Sequence, residues 1–412
     1  MNAADQVNPA TVRLRHVAGA LSALVGTAMP LAAQSVESPF TRAAPEEVGV
    51  SAAKLTETMD SIRAWVARER IVGAVVLVIR HGKLVWHEAA GWSDRERREP
   101  MRTDHIVSMR SMTKPLIGTA VLMLVEEGKL RLEDRVSRYL PSFDNERSRD
   151  ITIFQLLTHT SGITGEIYND QTTPPRIPYA SLREAVDAVG EKGPEFPPGT
   201  RYSYSDPGTS TLGALIAEVS GMRAEEFLQR RILDPLGMRD SYFLLPSDHP
   251  ARPRFASTYR RQLGGWVRYW DNTQPLIVPF FRASGGLWST SLDYARFMSM
   301  WLGKGTSNGR RLLKPESVAL AVEPHSAYVY SPDSLARRDR FYGLHWSVIS
   351  DRYRPVAAPF SAGTFEHGGS DGTLAWADPA RDLVLIYLTQ SRGQDTRSAF
   401  LRLVYAAMEP GT

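Results

Sequence analysis

Ser108-Met109-Arg110-Ser111-Met112-Thr113-Lys114-Pro115 runs directly into Leu116-Ile117-Gly118-Thr119-Ala120-Val121-Leu122-Met123-Leu124-Val125-Glu126-Glu127-Gly128. The long apolar run predicts a buried helix that closes at Gly128, with Ser111 and Pro115 where caps and first-turn prolines belong. Ser111 and Lys114 then share one helix face, because residues three apart are neighbours on a helix surface. The positive end of the helix favours alkoxide character on Ser111, and the Lys114 side chain can reach the hydroxyl. Such a pair activates serine without histidine.

Two common residues at a fixed spacing make a weak pattern, and the chain contains its own control. Ser51-Ala52-Ala53-Lys54 has the same spacing, follows Gly49-Val50, and opens an amphipathic helix through about Arg68. There the serine reads as an N-cap alone. What separates the two copies lies elsewhere in the chain.

Outward from the central helix, both ends of the chain read as hairpins. Ala74-Val75-Val76-Leu77-Val78-Ile79 and Leu84-Val85-Trp86-His87-Glu88 flank Arg80-His81-Gly82-Lys83, and the unbroken apolar run of the first predicts a strand covered on both faces. Leu374-Ala375-Trp376-Ala377 and Leu383-Val384-Leu385-Ile386-Tyr387-Leu388 form a second hairpin, followed by a helix from about Thr396 to Met408. The middle reads as helix and loop, with helices at Ile153 to His159, Ser181 to Val189, Ser210 to Ser220, Ala224 to Ile232, Leu292 to Leu302 and Pro315 to Val322. The glycine- and aromatic-rich stretch 262 to 287 reads as loop. This pattern predicts an α+β fold: an antiparallel sheet built from both chain ends, flanked by helices, with a helical domain inserted. The expected sheet part is about 41–105 with 285–412, and the helical part about 106–284.

The 412 residues are 42% hydrophobic and 23% charged, enough for a large core in one or two domains. A formal charge of +4, with bases and acids interleaved as in Arg95-Glu96-Arg97-Arg98-Glu99, argues against nucleic acid as a partner. Cysteine is absent, which excludes disulfides and thiolate metal sites, and no His-Glu-x-x-His cluster points to zinc. No metal or cofactor is expected. Residues 1–40 read as a leader: Arg13, Arg15 and His16 precede an apolar run from Val17 to Ala33, short for a membrane span and suited to a signal peptide. That predicts export to the periplasm or medium, the alternative being a disordered or membrane-tethering leader.

Two further segments carry chemistry. Tyr202-Ser203-Tyr204-Ser205-Asp206 forms a turn ahead of a helix, where a tyrosine can aim its phenol into a cleft or pack it in the core. Glu366-His367-Gly368-Gly369-Ser370-Asp371-Gly372-Thr373 leads into a strand, and its glycines let backbone amides approach a bound group. Ser111-x-x-Lys114, Tyr204-Ser205-Asp206 and His367-Gly368-Gly369, in this order, resemble the serine β-lactamase-like superfamily, in particular class C β-lactamases and family VIII carboxylesterases. Leu156-Leu157-Thr158-His159-Thr160-Ser161-Gly162, Asp234-Pro235-Leu236-Gly237-Met238 and Ser284-Gly285-Gly286-Leu287-Trp288-Ser289-Thr290 extend the likeness over roughly residues 45 to 408.

The resemblance implies a β-lactamase/transpeptidase-like fold with Ser111 as nucleophile, Lys114 as its base and Tyr204 as proton relay. It also implies an oxyanion hole from the amides of Ser111 and Ser370. For Lys114 to act so, burial is expected to strip its proton near neutral pH. Two departures from the β-lactamase pattern stand out: Asp206 where asparagine is usual, and His367-Gly368-Gly369 in place of Lys-Thr-Gly. The second removes a permanent cation that would hold a substrate carboxylate, and His367 replaces it only in part. Both departures favour cleavage of small carboxylic esters, the expected partners, over β-lactam or D-amino-acid amide hydrolysis. An acyltransferase and a non-catalytic member of the fold remain as alternatives.

Gly368-Gly369-Ser370-Asp371-Gly372 matches the Gly-x-Ser-x-Gly elbow, but that elbow needs a helix after the serine and a later histidine, and neither is expected here. His159 reads as a structural hydrogen-bonding residue. Trp266, Tyr269, Trp270, Phe280 and Phe281 either line a substrate pocket or cover the core, with Tyr168 and Tyr179 as fainter candidates of that kind.

Overall fold

The computed structural model describes residues 40–167, 176–246, 248–276 and 278–408. The expected leader and Tyr168 lie outside the described residues. Those described fall within one compact unit, Ser38–Thr412.

Helix α1 (Ala52–Ala67) precedes a long hairpin, β1 (Gly73–Arg80) and β2 (Lys83–Asp94), and the short β3 (Glu99–Pro100). The hairpin turns on His81 and Gly82, both at positive φ (50° and 70°). From the C-terminal third come β4 (Arg340–Tyr342), β5 (Ser347–Ile349), β6 (Phe365–Gly368), β7 (Leu374–Asp378) and β8 (Leu383–Thr389). All eight form one antiparallel sheet in the order β4-β5-β6-β7-β8-β1-β2-β3. The two chain ends meet where β1 pairs with β8, Val76 opposite Tyr387 and Leu77 opposite Ile386.

The continuous apolar run in β1 is explained by burial on both faces. Val75, Leu77 and Ile79 join the cluster that contains the central helix, α2 (Lys114–Glu126). Ala74, Val76 and Val78 face the other way, against α1 and the C-terminal helix. Leu116, Ile117, Ala120, Val121 and Leu124 are fully buried, so α2 is apolar on every side. Its end is set by Gly128, whose φ of 69° a side chain would disfavour.

The middle of the chain supplies α3 (Ile153–Leu157), α4 (Leu182–Lys192), α5 (Asp206–Ser220) and α6 (Ser291–Leu302), and the chain closes with α7 (Arg397–Ala407). Two expectations are corrected. Helix α5 starts four residues before Ser210, because the Ser205 hydroxyl caps it by accepting from the Gly208 amide at 2.9 Å and Pro207 suits the first turn. The stretch read as loop contains half of a further hairpin, Thr258–Gln262 with Gly265–Trp270, whose tip falls at Leu263 and Gly264. Gly264 and Gly265 mark the turn, and the β-forming run Trp266-Val267-Arg268-Tyr269-Trp270 follows it.

Candidate active site

Ser111 sits in a single 3-10 turn, Arg110–Thr113, that leads straight into α2 at Lys114. The regular helix therefore begins after the serine, not before it, and Ser111 is not a capping residue. The turn is held from several directions. Thr113 Oγ1 donates to the Arg110 carbonyl at 2.7 Å and accepts from the Leu287 amide at 3.0 Å, while Tyr294 donates to the Met112 carbonyl at 2.7 Å. Arg110, next to the serine, adopts φ 51°, a conformation a non-glycine residue keeps only when its surroundings impose it.

Those surroundings are ionic. The Arg110 guanidinium donates to Asp371 at 2.7 Å, and Arg392 donates to the other oxygen of the same fully buried carboxylate at 2.8 Å. Tyr269 adds a third donor at 2.9 Å and also contacts Arg110. Burial alone would raise the Asp371 pKa, but the two guanidinium groups outweigh it and hold the carboxyl below its ordinary range. Asp371 follows Ser370, so this bridge ties the Ser111 turn to the glycine-rich segment before β7.

Lys114 is completely buried. Its Nζ donates to Ser111 Oγ at 3.2 Å, to Asp206 Oδ1 at 2.5 Å and to the Ser284 carbonyl at 2.9 Å, and lies 4.7 Å from the centre of the Tyr204 ring. Burial pushes the Lys114 pKa down, yet the Asp206 carboxylate and Tyr204 outweigh it and the net shift is upward. The expectation that burial would strip this proton is thus corrected: in the resting site Lys114 is an ammonium, because Asp206 stands where an uncharged asparagine would not raise its pKa.

Tyr204 is 43% exposed to the cleft, while its phenolic oxygen lies among Lys114 and Ser111; burial raises its pKa, so it is a neutral phenol. Its position comes from His159. The His159 carbonyl accepts from the Ser203 amide at 2.8 Å, and its Nδ1 accepts from the Ser205 amide at 3.2 Å, gripping both neighbours of Tyr204. The two rings lie 4.5 Å apart, and His159 itself is held at φ 57°. His159 is therefore a structural acceptor.

Ser370 Oγ accepts from Arg392 at 2.7 Å, and the chain goes on into β7, not a helix. This is not the geometry of a nucleophile elbow. His367 Nδ1 donates to the Gly368 carbonyl at 2.9 Å, leaving Nε2 to accept from Tyr342 at 2.7 Å. Burial and the nearby Lys114 push its pKa down to about 3. His367 is neutral and replaces no part of a lysine's charge.

Ser111, Tyr204, His367, Gly368, Gly369 and Ser370 all line one cleft of about 530 Å³. Its remaining wall was missed in the sequence. Tyr202, Tyr330, Tyr342 and Phe341 make it aromatic, and Arg338, Arg340 and Arg397 make it cationic. The expected aromatics are elsewhere: Trp270 and Phe280 border a separate cavity of about 40 Å³, Phe280 and Phe281 line another of about 580 Å³, Trp266 packs with Val72 and Tyr259, and Tyr269 reaches the site through Asp371 and Arg110. Among the described residues no cluster of histidine and carboxylate could hold a metal, and no helix is long and apolar enough to cross a membrane.

Comparison with known proteins places this arrangement. Residues 53–407 match the Beta-lactamase family. Esterase EstB of Burkholderia gladioli is 31% identical over 378 residues, 84% of this chain and 93% of that protein. Penicillin-binding protein 4 of Amycolatopsis lactamdurans is 32% identical over 272 residues, 64% of this chain and 68% of that protein. Among solved structures, EstCE1, described as a hydrolase with promiscuous acyltransferase activity, superposes with a TM-score of 0.73 at 22% identity, covering 86% and 98% of the two chains. That last likeness shows the β-lactamase/transpeptidase-like fold. On the family match and the identity to EstB, the chain belongs to the Beta-lactamase family of serine hydrolases.

Proposed function

We propose that the protein cleaves small carboxylic esters through an acyl-enzyme on Ser111. The observation that carries this is the approach of a fully buried Lys114 Nζ to within 3.2 Å of Ser111 Oγ, at the floor of a cleft that Tyr204 also lines. In its deprotonated form Lys114 takes the Ser111 proton as the oxygen attacks the ester carbonyl. Tyr204, a neutral phenol in contact with both groups, gives its proton to the leaving alkoxide and is reprotonated by the Lys114 ammonium, so that the serine proton ends on the alcohol and Lys114 is again a free amine. The amides of Ser111 and Ser370 receive the oxyanion; loss of one such donor typically costs about 10²–10³ in rate. Water then releases the acid by the same relay in reverse. Similarity to EstB supports an ester as substrate.

A second reading is favoured by a specific observation. Cleavage of D-alanyl amides or β-lactams by the same residues fits the arginines of the cleft, which supply positive charge where the Lys-Thr-Gly lysine is missing. Intact-mass spectrometry after brief exposure to 4-nitrophenyl butyrate, nitrocefin or a D-alanyl-D-alanine peptide separates the two. An acyl adduct and turnover with the ester, absent from Ser111→Ala, are expected; turnover of nitrocefin or the peptide without the ester would replace the first reading by the second. Export remains part of the proposal, and N-terminal sequencing of protein recovered outside the cytoplasm would test it by showing whether the leader has been removed.

A further inference from the structure

One histidine behind Tyr204 is held in place at a cost that its own contacts do not explain. His345 lies in the turn between β4 and β5, is 0% exposed, and adopts φ 63°, a left-handed conformation that a residue other than glycine or asparagine enters unwillingly. Room for it comes from Gly118 in the middle of α2: a Cβ there would lie 3.1 Å from the His345 Cβ and 3.1 Å from the Leu344 carbonyl oxygen. Glycine inside a helix is itself unfavourable. The turn is pinned by the His345 amide, which donates to the Leu157 carbonyl at the end of α3 at 3.1 Å. Two unfavourable backbone choices therefore keep one imidazole where it is.

That imidazole faces another with the same deficit. Both His345 ring nitrogens are buried without a hydrogen-bond partner among the described residues, and so is His159 Nε2. The two rings lie 5.2 Å apart, centre to centre. Three open polar atoms in neighbouring buried rings are costly unless they are joined, and a shared water joins atoms so placed. Both rings are neutral: burial first, then Lys114 and the neighbouring histidines, push each well below its ordinary pKa. The aromatic neighbours Tyr204 and Tyr342 are neutral phenols, their pKa values raised by burial. A neutral imidazole carries one donor and one acceptor. His159 Nδ1 is committed as acceptor to the Ser205 amide, so its proton sits on Nε2 and needs an acceptor there.

We propose that His345 is that acceptor, reached through one buried water, and that it is thereby a positioning residue for the proton relay. It keeps the His159 proton on Nε2, which frees Nδ1 to take the Ser205 amide and hold Tyr204 beside Lys114 and Ser111. The inference rests on the reading of Tyr204 as the group that protonates the leaving alkoxide. Without an acceptor at position 345 the proton divides between the two His159 nitrogens. Each molecule with the proton on Nδ1 turns a donor toward the Ser205 N–H, and the backbone on one side of Tyr204 is released.

The test replaces the acceptor and keeps the shape. His345→Phe retains a ring and removes both nitrogens, whereas His345→Asn and His345→Gln place an amide oxygen near one nitrogen or the other. With 4-nitrophenyl butyrate, His345→Phe should lower kcat about 10-fold or more and leave KM nearly unchanged, because the residue orients the relay and does not touch substrate. At least one of the two amides should restore most of kcat, and which one does so identifies the nitrogen used. Proton–nitrogen NMR of histidine-labelled protein, with the His159 signal assigned from a His159→Asn sample, should show the proton on Nε2 in the wild type and divided in His345→Phe. If His345→Phe does not fold, His345→Leu takes its place. Unchanged kcat in the folded variant, an unchanged His159 tautomer, or failure of both amides to restore kcat overturns this proposal alone. A wild type that turns over no ester overturns the ester reading, and the tautomer comparison still decides this one.

Discussion

Ser51 and Ser111 are each followed three residues later by a lysine, and the two lysines end in opposite circumstances. Ser51 Oγ caps α1 by accepting from the Lys54 amide at 3.3 Å, and the Lys54 ammonium reaches away to the Ala406 carbonyl at 2.8 Å on an exposed surface. Lys114 is wholly enclosed, and its Nζ is shared between the Ser111 hydroxyl, Asp206 and the Ser284 carbonyl. Spacing is the same in both; what differs is what other parts of the chain bring to the lysine. At Ser51 the neighbours are one helix end and solvent. At Ser111 they come from α5, from the segment before α6 and, through Arg110, from the turn before β7.

The largest effect expected from this contrast is loss of chemistry at one copy only. Ser111→Ala should remove the acyl adduct and lower kcat/KM by about 10⁴-fold or more, and Lys114→Ala should do nearly as much, since residues acting as a unit fail together. Stopped-flow and intact-mass measurements check both. Residual acylation of Ser111→Ala would break the comparison outright.

Next in size is the ionic bridge that the Ser51 copy lacks. Asp371→Asn leaves Arg110 and Arg392 buried around an uncharged amide, and breaking a buried pair in this way typically costs about 3–5 kcal/mol. Urea unfolding should show that loss, together with slower acylation of Ser111. Stability close to wild type would mean that the bridge does not hold the strained Arg110 backbone.

The pH profile sharpens the comparison at Lys114 itself. Asp206 raises the Lys114 pKa, so removing its charge must lower it and make the free amine available at lower pH. The rising limb of kcat/KM in Asp206→Asn should therefore move to lower pH by about one unit or more. A limb that stays in place would show that Lys114 is not the base. At the small end, Ser51→Ala should cost about 1 kcal/mol of stability, the usual value of an N-cap, with kcat/KM unchanged. A change in activity there would undo the distinction between the two copies.

Much of the architecture was legible because it is written in local patterns. The unbroken apolar run of β1 announces burial on both faces, and Gly82 and Gly128 mark a turn and a helix stop by the backbone angles they permit. The hairpin around Leu263 was not legible, since its first strand, Thr258-Tyr259-Arg260-Arg261-Gln262, is polar and gives no alternation to pair with Trp266–Trp270. Nor was the cleft wall. Arg338, Arg340 and Arg397 read as ordinary surface charges in sequence, and only the pairing of β4 with β5 and of β5 with β6, and the start of α7, bring them to one side of Ser111. His159 was legible as structural, while its two-sided hold on Tyr204 depends on its positive φ.

Local pattern was enough for most of the helices and strands, the faces they bury and the short-range pairing of Ser111 with Lys114, because helix and strand periodicity act over a few residues. The tertiary structure alone decided the charge on Lys114, the neutrality of His367 and the counter-charge of Arg110. Asp206 lies 92 residues from Lys114 and Asp371 lies 261 from Arg110. Proton occupancy depends on burial and on which charges stand within a few ångströms, and a linear pattern carries neither.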